Sequence, residues 1–196
     1  MIDRKSFDKL RKEYEDLDEA RENIIRKSRD VIKLSKNIIY SVHRKDLSTA
    51  KKGVEDIKKE VKTLSVIATK NSSLYVGSYN CAIQEYVEAV CYYDFATANK
   101  LTTPDKLGVG MEDYLLGCCD LIGELVRNAI NSSINGDHKQ AFKIKEFVDE
   151  FYNELMKFDF RNSELRKKFD GVKWELKKID DAVFKLSLEG KRWKKT

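Results

Sequence analysis

Four carboxylates stand out for the company they keep. From Asn71 to Tyr93 the only formal charges are Glu85 and Glu88, and from Tyr114 to Ser133 they are Asp120, Glu124 and Arg127. Spacing of i,i+3 places Glu85 and Glu88 on one helix face, and i,i+4 does the same for Asp120 and Glu124. A charge on an otherwise apolar helix tends to face inward, where leaving it unpaired costs on the order of several kcal/mol. Two antiparallel helices carrying these pairs could converge all four carboxylates, and like charges that close require a cation or shared protons.

Such a ligand set is all oxygen, so it suits Mg²⁺ or Mn²⁺ far better than zinc or copper. His43 and His138 lie outside both pairs, which makes the Glu-x-x-His arrangement of di-iron bundles a poor fit. Carboxylate-held Mg²⁺ is a recurring apparatus of phosphoester hydrolysis, where it aligns the phosphate, activates water and stabilises the leaving oxygen. A rival reading makes Glu85 and Asp120 interface residues, salt-bridged to Arg127 or to arginines of another helix. Other chemistry is weakly represented. The chain has no Walker A loop and no G-x-S-x-G, and Cys118-Cys119 reads as core filling beside Asp120. Tyr75, Tyr79, Tyr86, Tyr92 and Tyr93 could stack on unpaired bases, but at helical spacing they read as core and interface.

The elements that must position these groups are helices. Apolar residues recur with 3-4 spacing at Phe7, Leu10, Tyr14, Leu17, Ile24, Val31, Ile38 and Val42, which predicts one long helix over 4–44. Arg21, Ser28 and Ser35 fill the intervening seam positions, where polar groups set register or face a polar cavity. A second helix over 47–70 carries Val54, Ile57, Val61 and Leu64 on one stripe. Asn71-Ser72-Ser73 reads as a break or N-cap for a third over 73–99. Pro104 and Gly108-Val109-Gly110 mark a loop. The fourth helix runs over 111–134 and stops at Asn135-Gly136. The fifth covers 138–158, and the sixth 162–189, ended by Gly190 with a basic tail at 191–196. The fold class is therefore all-α: a bundle of six to seven helices in one domain spanning 1–196.

Composition agrees. The 196 residues include 36% charged and 41% hydrophobic residues and a single Pro, which argues against β-sandwiches and low-complexity disorder. No run of about 18 apolar residues could span a membrane. The charged N-terminus lacks a signal-peptide core, and four cysteines without a C-x-x-C pair suit a reducing, cytoplasmic setting. The formal net charge is only +5, yet residues 21–62 carry a net +7 and residues 165–196 a net +6. Basic clusters of this kind attract polyanions through counterion release, or simply form a solvated lysine-rich surface.

Several segments, in order, resemble the translin/TRAX superfamily and its TRAX branch in particular. They are Glu85-Tyr86-Val87-Glu88-Ala89-Val90, Asp113-Tyr114-Leu115-Leu116-Gly117 and Asp120-Leu121-Ile122-Gly123-Glu124-Leu125. The first helix agrees through Arg21-Glu22-Asn23-Ile24-Ile25, Ser28-Arg29-Asp30, Ser35-Lys36 and His43-Arg44, and so do Ile130-Asn131-Ser132 and Asn135-Gly136-Asp137. The run from Asn162 to Gly171, continuing through Lys177-Lys178, is similar instead to translin itself.

This resemblance implies a translin-like helical fold that assembles into closed, hollow, usually octameric shells with nucleic acid bound inside. TRAX-type subunits of that family supply a Mg²⁺-dependent endoribonuclease site. Carried over, Glu85, Glu88, Asp120 and Glu124 would ligate Mg²⁺ and perform catalysis. Arg21, Lys27, Arg29, Lys36 and Arg127 would hold RNA phosphates, positioning a strand without reading its sequence. Single-stranded RNA is the expected substrate, with single-stranded DNA as a further ligand. Having both the acidic set and a translin-like C-terminal helix points to a homo-oligomer, and the short N-terminal lead to a prokaryotic-type member. Two alternatives stand beside this reading: a non-catalytic RNA- or DNA-binding oligomer, and an all-α nucleotide pyrophosphohydrolase, which would leave the basic first helix without a use.

Overall fold

A computed structural model of the chain describes residues 2–70, 77–161 and 163–193. Among these residues there are seven helices and no strand. They are α1 (Arg4–His43), α2 (Leu47–Lys70), α3 (Gly77–Ala98), α4 (Pro104–Leu107), α5 (Met111–Ile134), α6 (His138–Leu155) and α7 (Glu164–Trp193). The chain divides into two compact units, Met1–Val109 and Gly110–Thr196. No helix among the described residues is long and apolar enough to cross a membrane.

In the first unit α1 packs along both α2 and α3, and α2 packs on α3. The seam residues Ile24, Val31, Ile38 and Val42 of α1 are buried, as are Val54, Ile57, Val61 and Leu64 of α2. Each such side chain contributes about 1.5–3 kcal/mol by leaving water. The polar seam positions divide. Ser28 and Ser35 are buried, Ser35 Oγ donating to the Val31 carbonyl at 3.2 Å, whereas Arg21 is exposed. The N-terminal part of the same stripe (Phe7, Leu10, Tyr14, Leu17) is also exposed in the single chain. Lengths explain this: α1 has 40 residues, α2 has 24 and α3 has 22. At about 1.5 Å per residue, two helices of that length cannot cover the whole of α1.

Two helix junctions use the same device. After α1, Lys45 adopts φ 61°, its N–H bonds the Val42 carbonyl, and the Asp46 N–H bonds that of Ser41. After α5, Gly136 adopts φ 77°, with matching bonds to Ser133 and from Asp137 to Ser132. Both are left-handed C-terminal motifs that satisfy otherwise orphaned carbonyls. In each case the following aspartate then caps the next helix: Asp46 accepts from the Thr49 N–H at 3.1 Å and Asp137 from the Gln140 N–H at 3.2 Å.

At Gly53 α2 comes up close against Ile38 of α1. A Cβ at that position would lie 2.7 Å from Ile38 Cγ1, an atom of a buried, branched side chain with little room to yield. Alanine would gain about 1 kcal/mol of helix propensity, against about 1–3 kcal/mol for overpacking. Gly53→Ala is therefore expected to destabilise the protein by about 1 kcal/mol, read as a lower urea midpoint at unchanged slope.

In the second unit α5 packs on α6 and α7, and α6 on α7. Leu165, Phe169, Val172, Ile179 and Leu186 of α7 are buried along one stripe of the helix, with Leu176 and Val183 half-buried beside them. Besides α6 stopping at Leu155, short of the expected 158, two details differ from the sequence expectation. The loop carrying Pro104 contains one helical turn, α4, with Pro at its start and Gly108 at φ 68° closing it. Gly190 does not end the last helix, since α7 continues to Trp193. A glycine inside a helix costs only about 1 kcal/mol relative to alanine, and no proline follows it. Of the expected basic tail, residues 194–196 lie outside the described residues. So do the expected N-cap Asn71-Ser72-Ser73, Tyr75, and Asn162 at the start of the last helix.

Candidate functional site

Helix α3 is buried around much of its circumference, including Ala82, Ile83, Gln84, Tyr86, Val87, Glu88, Ala89, Val90 and Cys91 in a nearly continuous run. That burial explains its scarcity of charge, because a helix apolar all round belongs inside. Glu88 is only 9% exposed and Glu85 is half-buried. Near the end of the helix His43 ties α1 to α3, with the Tyr92 hydroxyl 3.1 Å from its Nδ1. Helix α5 holds an equivalent place in the second unit, with ten residues between Leu115 and Ala129 buried.

The α5 acids each have a cation of their own unit. Lys168 Nζ on α7 lies 2.5 Å from Asp120 Oδ2, and Arg127 lies 3.6 Å from Glu124 one turn along α5. Asp120 and Lys168 are partly exposed, at 38% and 26% of their side chains. Beside them the Cys119 thiol is pushed up to about 12, first by burial and then by the negative charge of Asp120, with Lys168 acting in the opposite sense. Among the described residues no three His, Cys, Asp or Glu side chains gather into a group that could hold a metal ion. The donor chemistry of the four acids suits a hard cation, but their arrangement does not make a ready metal site.

The five basic residues anticipated as phosphate contacts fall into two groups. Arg29 and Lys36 are exposed on α1, seven residues apart and hence on one stripe, and neither is ion-paired with a described residue. Arg21 is exposed and pairs with Asp18 at 3.5 Å, Arg127 pairs with Glu124, and Lys27 pairs with Glu60 of α2 at 2.9 Å. Lys27 thus braces α1 against α2.

Other cations emerge only from the structure. Arg26 and Lys33 are exposed and extend the Arg29–Lys36 stripe at three- and four-residue steps, a spacing already present in the sequence. A cleft of 680 Å³ between α2 and α4 is lined by Lys58, Lys62, Lys70 and Lys106, none of them ion-paired with a described residue. None of the four cysteines is disulfide-bonded.

Comparison with known proteins settles the ancestry. A model of the Translin family matches residues 19–190. The chain belongs to the translin family. Translin from Gallus gallus is 39% identical over 80 residues, which is 41% of this chain and 35% of that protein. The chain therefore matches about a third of the length of the curated translins. Translin-associated protein X from Pongo abelii is 31% identical over 144 residues, covering 55% of this chain and 49% of that one. An uncharacterised protein of Methanocaldococcus jannaschii is 30% identical over 133 residues, 66% of this chain and 59% of that protein.

Two solved structures extend the likeness to nearly the whole translin-family fold. The crystal structure of apo-NeC3PO superposes with a TM-score of 0.86 at 31% identity, covering 94% of this chain and 97% of that one. AfC3PO in complex with duplex RNA gives a TM-score of 0.85 at 26% identity, with the same coverage. The all-α translin-like fold is thereby shown over both units, each by its own helices.

Proposed function

We propose that this translin-family protein is a cytoplasmic RNA-binding subunit of a closed homo-oligomer, expected to be an octamer, and that it cleaves single-stranded RNA internally. Mg²⁺, or Mn²⁺, is the cofactor that its all-oxygen acids suit, with Glu85, Glu88, Asp120 and Glu124 as the ligands and catalytic carboxylates. The observation that carries this reading is Glu88, a carboxylate held at 9% exposure on a helix otherwise rich in buried apolar residues. A group so costly to bury is kept for chemistry more readily than for packing. The likeness to AfC3PO, solved with duplex RNA, supports RNA as the ligand. The exposed Arg29 and Lys36 would grip phosphates without reading bases, Arg21, Lys27 and Arg127 would exchange their present partners for phosphate, and single-stranded DNA would bind the same surface.

The test is cleavage of an end-labelled single-stranded RNA in Mg²⁺ and in EDTA, beside duplex RNA and single-stranded DNA at several salt concentrations. Internal cleavage confined to Mg²⁺ is expected, with binding that weakens steeply as salt rises. Cleavage that ignores EDTA, or RNA affinity indifferent to salt, would sink the proposal.

A second reading is favoured by the pairing of Asp120 with Lys168 and of Glu124 with Arg127. There the acids are structural, and the protein is a nucleic-acid-binding oligomer that cuts nothing under any metal.

A further inference from the structure

The lysine-lined cleft of the first unit has a chemistry of its own. Lys58, Lys62 and Lys70 follow one another along α2 and Lys106 joins them from α4, with Asp105 the one acid among the lining residues described. Between these charges the lining is apolar, formed by Val61, Val66 and Leu107. Val66 is 51% exposed, an apolar side chain left in water beside lysines that have no ion-pair partner among the described residues. From Lys58 to Lys70 the α2 wall runs about 18 Å, and 680 Å³ is an ordinary size for a binding cleft. A nucleic-acid strand is a poor occupant. The one aromatic ring among the described lining residues, Tyr86, is 3% exposed, with its hydroxyl donating to the Leu107 carbonyl at 3.5 Å. No ring face is therefore offered to a base.

The complementary surface lies on the same chain. Residues 13–19 carry five acids and no base. Tyr14 and Leu17 within them are 67% and 43% exposed and continue the stripe begun by Phe7 and Leu10, which is about 15 Å long. Helical spacing puts Glu13 on one side of that stripe and Asp18 on the other. Each pairs with an exposed cation of its own helix, Lys9 at 3.6 Å and Arg21 at 3.5 Å, and such pairs are weak enough to exchange. Yet α1 is one helix from Arg4 to His43, and none of residues 13–19 lines the chain's own cleft. The match is met only between copies.

We propose that the acidic, apolar start of α1 in one copy docks in the α2–α4 cleft of another, with Tyr14 and Leu17 on its apolar floor and Glu13 and Asp18 against its lysines. The proposal rests on the homo-oligomer reading given above and names the two surfaces that meet. A contact between different surfaces runs head to tail, the kind that closes copies into a ring.

Charge exchange in the full-length protein tests it, read as solution mass by sedimentation velocity over a range of concentrations. Lys62→Glu with Lys106→Glu, and separately Glu13→Lys with Asp18→Lys, should each weaken association by at least about tenfold, because each sets like charges against each other. All four substitutions in one chain should recover most of that loss. Circular dichroism shows whether each variant is folded. Should a reversed chain not fold, Lys62→Gln with Lys106→Gln takes its place, with a loss of about twofold to fivefold expected. Wild-type mass in the reversed variants overturns the docking, and so does a loss that the quadruple variant fails to recover. Weaker RNA binding by the lysine reversals at unchanged mass also overturns it and gives the cleft to nucleic acid. A monomeric wild type removes the homo-oligomer reading itself, and the docking with it.

Discussion

Replacing Glu88 by glutamine is expected to lower Mg²⁺-dependent RNA cleavage by on the order of 10²- to 10⁴-fold, the usual cost of removing a positioned acid–base group, while RNA still binds. The two effects should separate because of where the group lies. Glu88 is buried within α3 and is remote in kind from the exposed lysines and arginines expected to meet phosphates. Glutamine keeps the size of the side chain and one acceptor oxygen, so the packing of α3 need not change. What disappears is the charge, and with it the ability to hold a hard cation or accept a proton.

Glu88 has an interaction of its own within the fold, so loss of its charge should cost some stability, read as a lower urea midpoint at unchanged slope. Asp94→Asn supplies the comparison. It neutralises a third acid of the same helix, one outside the Glu85–Glu88 pair, which accepts a hydrogen bond from Thr102, and should leave the cleavage rate near wild type. A Glu88→Gln protein that cuts as fast as wild type would make the acids structural and favour the non-catalytic shell.

The second large effect is expected at the other end of the first unit. Phe7, Leu10, Tyr14 and Leu17 lie on one stripe of α1 and are between 43% and 67% exposed in the single chain. Large apolar side chains in a continuous row mark a surface that another molecule covers. In a translin-family protein proposed to self-assemble, a second copy is the expected occupant.

Burying two such side chains is worth about 3–6 kcal/mol, or on the order of 10²- to 10⁴-fold in an association constant. Leu10→Glu combined with Tyr14→Glu should therefore shift the solution mass by light scattering from a multi-subunit species to a much smaller one. Far-UV circular dichroism should barely change, because these residues contribute nothing to the core of the unit. RNA affinity should fall by at least about tenfold through lost multivalency. An unchanged mass would place the subunit interface elsewhere.

Much of the scaffold is legible from periodicity. The Ile24–Val31–Ile38 seam and the Val54–Ile57–Val61–Leu64 stripe are buried as their spacing predicts, because each helix shows its partner one face and water the other. The two charge-poor segments are the most buried helices of their units, for the dielectric reason that expels unpaired charge from a core. The pairing of acids within each helix is equally local and follows from 3.6 residues per turn. Helix ends are read less surely. Lys45, a non-glycine residue, takes the left-handed position after α1, whereas Gly190 lies within α7, because terminating a helix is worth only about 1 kcal/mol and surrounding contacts decide it.

By itself, then, the sequence determined the helices, their buried faces, the two acid pairs and, through several motifs in order, the translin kinship. Only the tertiary structure decided what those acids meet. Asp120 joins Lys168 across 48 positions and Lys27 joins Glu60 across 33, pairings that no local spacing announces. The structure also decided that half of a single apolar stripe is core while the other half stands in solvent. The reason is common to all three: helical periodicity says which way a side chain faces, but not which element stands opposite it. That depends on relative helix length and on packing between segments far apart in the chain.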